Sequence, residues 1–167
     1  MLQILHSIDQ IRYSQLMAVY EESNRTLGQK DYPHKSTNEQ LLESEQKLYN
    51  YLRSVFFKTQ DSFYAVWTVS GEYVSALRAE PYEDGFLING LETRPDQRNM
   101  GYGKQLLLAV VKHLKESGNT PVYSHINKQN TSSIRIHEKA GFHLLHRQPA
   151  VLLDGSVSND ILTYAIK

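Results

Sequence analysis

Cysteine is absent from the 167 residues, and that gap removes several chemistries at once. Disulfides, thiolate metal sites and a cysteine acyl-enzyme are all excluded. Net charge is absent too. The 18 basic residues balance 18 acidic ones, no cluster of Lys and Arg stands out, and no nucleic-acid partner is expected. No stretch approaches the roughly 18 apolar residues of a membrane span, so no membrane partner is expected either. The opening "MLQILHSIDQIRYSQ" lacks the basic region and long apolar run that a signal peptide requires. The seven histidines are scattered; no pair stands at metal-ligand spacing with a carboxylate on one helix face, so no metal is expected. Repeats and low-complexity stretches are missing. Together these absences point to a soluble cytoplasmic protein, and the length suits a single domain over residues 1–167 with a real core.

What is present falls into three parts. Residues 1–60 read as a short strand, "LQILH", then two helices. "SIDQ" is a capping box from Ser7, and Tyr13, Leu16, Met17 and Tyr20 fall at helical spacing, giving a helix to about Arg25. "TLGQKDYPHK" reads as a loop, with Gly28 and Pro33 as its breakers. "STNE" at 36–39 is a second capping box, followed by an apolar stripe from Leu41 to Phe56. At Asp61 the texture changes. "SFYAVWTVS", "EYVSALRAE" and "FLINGLET" are β-rich runs separated by turns at Ser70-Gly71 and Glu83-Asp84-Gly85, the natural pattern of an antiparallel meander. Leu106, Leu107, Val110, Val111 and Leu114 then mark a helix, "PVYSHI" a strand, and Asn130 to Gly141 a short capped helix. "FHLLHRQPAVLL" and "DILTYAIK" finish as strands around the turn "DGSVSND".

The stretch between the meander and its helix, "RPDQRNMGYGK" at 94–104, carries the chemistry. Glycine lets the chain come close to a ligand, and a helix start favours an anion through its free N–H groups and dipole. Lys104 in the first helical turn is poorly placed against that dipole unless an anion is present. A P-loop is excluded: Gln105 stands where it needs Ser or Thr, and Arg98 where it needs glycine. A dinucleotide fingerprint fails at Leu106, its third glycine. Arg-x-x-Gly-x-Gly between strand and helix is what remains.

In context, "LETRPDQRNMGYG" at 91–103 resembles the signature of the GNAT superfamily of acyl-CoA-dependent N-acetyltransferases. Leu91, Pro95, Arg98, Gly101 and Gly103 match, and Thr93 replaces the usual valine with another β-branched residue. The second motif of that family has its counterpart in "INKQNTSSIRIHEKAGF" at 126–142, through Asn127, Asn130, Ile134 and Glu138 to Phe142. The motif-bearing resemblance spans roughly residues 61–144. It implies an α/β (α+β) fold with a mixed, mostly antiparallel sheet of about 6–7 strands, flanked by about four helices. Strands four and five would be parallel and splayed. Residues 1–60 would then form the acceptor side, 61–144 the acetyl-CoA-binding core, and 145–167 the last strands. The resemblance also implies acetyl-CoA as cosubstrate. Its pyrophosphate would lie against Arg98, Asn99, Met100, Gly101, Tyr102, Gly103 and Lys104. Its pantetheine arm would run along Leu91, Glu92 and Thr93, with Asn130 and Ser133 opposite. An ordinary N-cap accounts equally well for Asn130.

With no cysteine, the amine must attack the thioester directly in a ternary complex. N–H groups near Glu92 and Thr93 are the expected oxyanion donors. Where the family often places a tyrosine acid, this chain has His137. At an ordinary pKa of ~6.5 about a quarter of it would be protonated at pH 7. It could serve as the acid, hydrogen-bond the sulfur while neutral, or be a core histidine. Glu92 is the candidate general base, with Tyr123, His125 and Glu80 as competitors and a solvated strand carboxylate as the plain alternative. The resemblance puts the acceptor near the leading helices, with Tyr32, His34, Tyr13, Tyr20, Trp67 and Tyr82 as candidate contacts. A small-molecule or amino-acid-like primary amine is the expected partner, and a homodimer is among the assemblies the family uses. Two other readings remain: a GNAT-like module that holds acyl-CoA without turnover, and a nucleotide-binding module.

Overall fold

Period-two alternation drives the middle of the chain into a meander. The computed structural model describes residues 1–146 and 150–167. β2 (Phe63–Val69), β3 (Glu72–Tyr82) and β4 (Gly85–Thr93) pair antiparallel in chain order. Ser70 and Gly71 make the first turn with φ of 50° and 84°, as a two-residue hairpin loop requires. β1 (Leu2–Leu5) adds to β2, and β5 (Val122–Asn127) lies parallel to β4. β6 (His143–His146) and β9 (Ile161–Ile166) complete a seven-stranded sheet in the order β1-β2-β3-β4-β5-β9-β6. β7 (Ala150–Val151) and β8 (Val157–Ser158) form a separate hairpin.

Five α-helices occur among the described residues. α1 (Tyr13–Val19) and α3 (Thr37–Ser54) bury an apolar cluster on one sheet face, and α2 (Glu21–Asp31) packs on α3. α4 (Tyr102–Glu116) and α5 (Thr131–Lys139) cover the other face. The stripe of α4 from Leu106 to Leu114 is fully buried against the sheet, each side chain contributing about 1.5–3 kcal/mol relative to exposure. The mixed seven-stranded sheet with one parallel pair is the architecture expected from the motifs.

The structure corrects the leading segment. Ser7 does build a capping box, but it opens a 3-10 turn at Ile8–Gln10, and α1 begins only at Tyr13. The chain breaks at Tyr20 and then continues as α2 into the expected loop as far as Asp31, with Gly28 inside the helix and Pro33 beyond its end. Gly28 is there because α2 and α3 touch: a Cβ would stand 2.4 Å from the Gln40 carbonyl oxygen. Among the described residues the helices therefore number five, where about four were expected. The expected strand over 142–153 contains 147–149, outside the described residues. Its end pairs instead with β8, inside the expected turn.

Candidate functional site

The site begins with a fault in β4. Ala76 pairs with Glu92 and Arg78 with Asn89, so two steps of β3 oppose three of β4, the count of a β-bulge. Gly90 sits in it at φ 63°, a left-handed conformation that costs glycine little. The Tyr20 hydroxyl, from the junction of α1 and α2, donates to the Gly90 carbonyl at 2.6 Å. Beyond the bulge β4 and β5 part. Their pairs are Phe86 with Val122, Leu87 with Tyr123 and Ile88 with Ser124, and none follows.

The parting strands open a cavity of about 690 Å³. The Arg94 N–H bonds the Val74 carbonyl of β3 at 2.9 Å. By antiparallel alternation the main-chain groups of Leu91 and Thr93 then point away from β3, into the cleft. Those of Glu92 point toward β3, where its carbonyl accepts from Ser75 Oγ at 2.6 Å. Of the two N–H groups expected as oxyanion donors, that of Thr93 therefore faces the cleft and that of Glu92 does not, while that of Leu91 does.

At one end of the cavity α4 begins. Gly101 caps it at φ 81°, with no side chain serving as cap. The first helical bond is Gln105 N–H to the Gly101 carbonyl, so the preceding N–H groups have no partner within the helix. Gly103 has a different reason to be glycine: a Cβ would lie 3.0 Å from Thr93 Oγ1. Arg98, Asn99, Gly101, Tyr102, Gly103 and Lys104 all border the cavity, while Met100 does not and is 63% exposed. Arg98 is already engaged, donating through Nε to the Thr93 carbonyl at 3.3 Å and pairing with Glu22 of α2. This end, dry of carboxylates in the first helical turn, fits a phosphate. The extended cleft above it fits an amide-bearing arm, so the residues present suit coenzyme A.

On the opposite wall stands α5. Asn130 caps it by accepting from Ser133 N–H at 3.0 Å, the ordinary capping role, while also bordering the cavity with Ser133. His137 is 1% exposed. Its Nδ1 lies 2.8 Å from the Ser133 carbonyl and its Nε2 3.0 Å from Ser124 Oγ of β5. Phe142 meets the ring edge-on at 5.1 Å. Burial pushes the imidazole pKa below its usual value, and the Ser133 carbonyl only partly offsets this.

Glu92 stands at the other end. Its side chain points to the face opposite Leu91 and Thr93. It borders the cavity and a neighbouring groove of about 430 Å³ under Glu22, Ser23, Thr26 and Leu27 of α2. Burial raises its pKa above the usual carboxylate range, against a Ser23 hydrogen bond and the nearby Arg98 charge, with Glu22 pushing the same way as burial. Among the competing bases, His125 also borders the cavity, its ring against Tyr82 and its Nε2 buried without a hydrogen-bond partner. Burial holds His125 below its usual pKa. Tyr123 is committed to Asp84 at 2.6 Å, and neither it nor Glu80 reaches the cavity. Tyr32 closes α2, and neither Tyr32 nor His34 borders either space. Among the described residues no group of three His, Asp or Glu could hold a metal, and no helix is long and apolar enough to cross a membrane.

Sequence reasoning missed Ser124, the bulge at Gly90 and its Tyr20 clamp. A glycine inside a strand pattern is a bulge signal, and Gly90 carried it. Nothing in the sequence marks Ser124, which reads as one small residue in a buried strand.

Residues 16–142 match the model of the acetyltransferase (GNAT) family, and the chain belongs to that family. No curated protein matches it significantly. Among solved structures, PaiA N-acetyltransferase from Thermoplasma acidophilum in complex with coenzyme A is 18% identical with a TM-score of 0.68, over 100% of this chain and 99% of that one. The ribosomal-protein-S18-alanine N-acetyltransferase of Escherichia coli is 16% identical with a TM-score of 0.62, over 99% and 93%. An aminoglycoside 6'-acetyltransferase of type Ii is 14% identical with a TM-score of 0.65, over 99% and 96%. At such identities the likeness speaks for the fold alone.

Proposed function

We propose that the protein transfers an acetyl group from acetyl-CoA to a primary amine of a small-molecule or amino-acid-like acceptor, by direct attack in a ternary complex. One observation carries this reading. Glu92 is shared by the phosphate-suited cavity and the groove under α2, so a carboxylate stands where a donor on one side would meet an acceptor on the other. Acetyl-CoA supplies the acetyl group as a thioester. The N–H groups from Asn99 to Lys104 hold the anionic end, and the main chain of Leu91 and Thr93 orients the arm and polarises the carbonyl. Glu92, directly or through water, takes the proton that makes the incoming ammonium a neutral nucleophile. The balanced charge and the absence of cysteine support a cytoplasmic enzyme acting on a soluble amine, apart from nucleic acid and membranes.

Thermal melts with CoA, and a thiol assay for CoA released from acetyl-CoA across a panel of primary amines, test the proposal. A raised melting temperature and amine-dependent CoA release are expected. Stabilisation by CoA with no release on any amine would favour a non-catalytic acyl-CoA-binding module, and stabilisation by ATP alone would sink both readings.

A further inference from the structure

The position matched to the family's acid holds a histidine that presents no N–H to the cavity. Two groups of Ser133 meet Nδ1, the carbonyl at 2.8 Å and the hydroxyl at 3.4 Å; the carbonyl can only accept, and as the closer of the two it puts the ring proton on Nδ1. Nε2 is then a lone pair, and the Ser124 hydroxyl at 3.0 Å donates to it. The alternative acceptor for that hydroxyl, the Ile88 carbonyl, is farther at 3.4 Å. Ser124 is 3% exposed and occupies the last position of β5 that pairs with β4, opposite Ile88, at the point where those two strands part. Both side chains border the cavity, and the edge-on Phe142 fixes the ring.

The charged groups nearby do not compete. On α5, Arg135, Glu138 and Lys139 are exposed. His125 of β5 and Glu92 of β4 also border the cavity, but by strand alternation the His125 side chain leaves Ser124 for the other sheet face and that of Glu92 faces α2. A neutral imidazole, anchored at Nδ1 and filled at Nε2 by a hydroxyl, accepts protons. It cannot donate one to the cavity.

We propose that Ser124 and His137 form a proton relay that carries the amine's second proton to the leaving sulfur, an inference that rests on the N-acetyltransferase reading. As the C–N bond forms, Ser124 Oγ takes a proton from the attacking nitrogen while passing its own to His137 Nε2. The resulting imidazolium is held by the Ser133 carbonyl at Nδ1 and by Ser124 at Nε2. As the C–S bond breaks, the proton returns through Ser124 Oγ to the sulfur, leaving serine and histidine as they began. One N–H is lost and one S–H gained, with no outside acid or base. Ser124 is the catalytic residue, and His137 acts through it.

Two measurements test this. In the free protein at neutral pH, imidazole ¹⁵N spectra should show His137 neutral with its proton on Nδ1, and the Nε2 resonance should move in Ser124→Ala. An Nε2–H tautomer, or a doubly protonated ring, overturns the relay whatever the turnover. With an amine that the wild type acetylates, Ser124→Ala should lower kcat on the order of 100-fold, leaving KM for acetyl-CoA and the CoA-induced rise in Tm unchanged. Ser124→Thr, which keeps a hydroxyl on a β-branched side chain suited to the strand, should restore most of it. Ser124→Ala combined with His137→Phe should be no slower than the slower single variant, because the two act as a unit. Wild-type kcat in Ser124→Ala, or losses that multiply in the double variant, would overturn the relay alone. No turnover by the wild type on any amine would instead overturn the acetyltransferase reading, and the relay with it.

Discussion

Tyr20→Phe removes one oxygen, and that oxygen holds the bulge on which the site depends. Its hydroxyl donates to the Gly90 carbonyl at 2.6 Å, from a side chain that is itself buried. Phenylalanine keeps the ring and its edge-on contact with Tyr64, whose centroid lies 6.4 Å away, so packing is conserved and what is lost is the bond to Gly90 together with the hydroxyl's interaction with the Tyr64 hydroxyl. Gly90 is exposed, so water can replace the donor at its carbonyl. The stability loss should therefore sit near the ~1 kcal/mol of a net hydrogen bond, below the full penalty for a buried orphan. For a chain of this size that is roughly a 2–4 °C fall in Tm. Turnover should suffer more. The bulge turns the main chain of Leu91 and Thr93 into the cleft, and a donor misplaced by about 1 Å can cost up to 100-fold in rate. Calorimetric melts and steady-state kinetics on the same preparation separate the effects, with a fall in kcat of at least about tenfold expected at little change in KM for acetyl-CoA. A small Tm loss with wild-type kcat would mean that the clamp serves the fold only, and the account of the bulge as an aiming device would be wrong.

Gly103→Ala forces a Cβ to within 3.0 Å of Thr93 Oγ1. An overpacking strain of about 1.4 kcal/mol at the cradle would weaken CoA binding tenfold by calorimetric titration, and unchanged affinity would remove Gly103 from that role. Burial raises the Glu92 pKa, so the folded state disfavours its charge. Stability is then lost as pH rises from the ordinary carboxylate value of ~4.3 through the raised one. Glu92→Gln should accordingly melt higher than wild type at neutral pH while turning over on the order of 100-fold more slowly; a lower Tm with intact turnover would contradict both statements. His125 and His137 are shifted the other way by burial. Their neutral forms stabilise the fold above ~6.5, and that contribution is lost as pH falls through their lowered values. Melts across this range should show a shallower acid slope in His137→Phe than in wild type, and equal slopes would count against the buried neutral ring.

The motifs were legible because they are local. Gly101 and Gly103 meet a requirement within a few residues, a left-handed cap and a close approach to the strand that precedes them, and such requirements leave their mark in the sequence. The strand meander and the α4 stripe were readable for the same reason, since each is a periodicity inside one element. Helix boundaries near Tyr20 and Gly28 were not, because they answer to α3: only the approach of Gln40 makes glycine necessary within α2, and a glycine read alone means a break. The site was half legible on the same principle. His137 could be named from its motif, yet the partner of its Nε2, Ser124, lies thirteen residues earlier on another element. Glu92 could be proposed as a base from its place on the strand, but its raised pKa comes from burial in the folded chain, against a hydrogen bond from Ser23 of α2. The groove under α2, with Tyr20, Glu22 and Ser23 against β4, has no motif because its contacts are all long-range. If that groove takes the proposed amine, substitutions on α2 should change acceptor preference while leaving the glycine loop untouched.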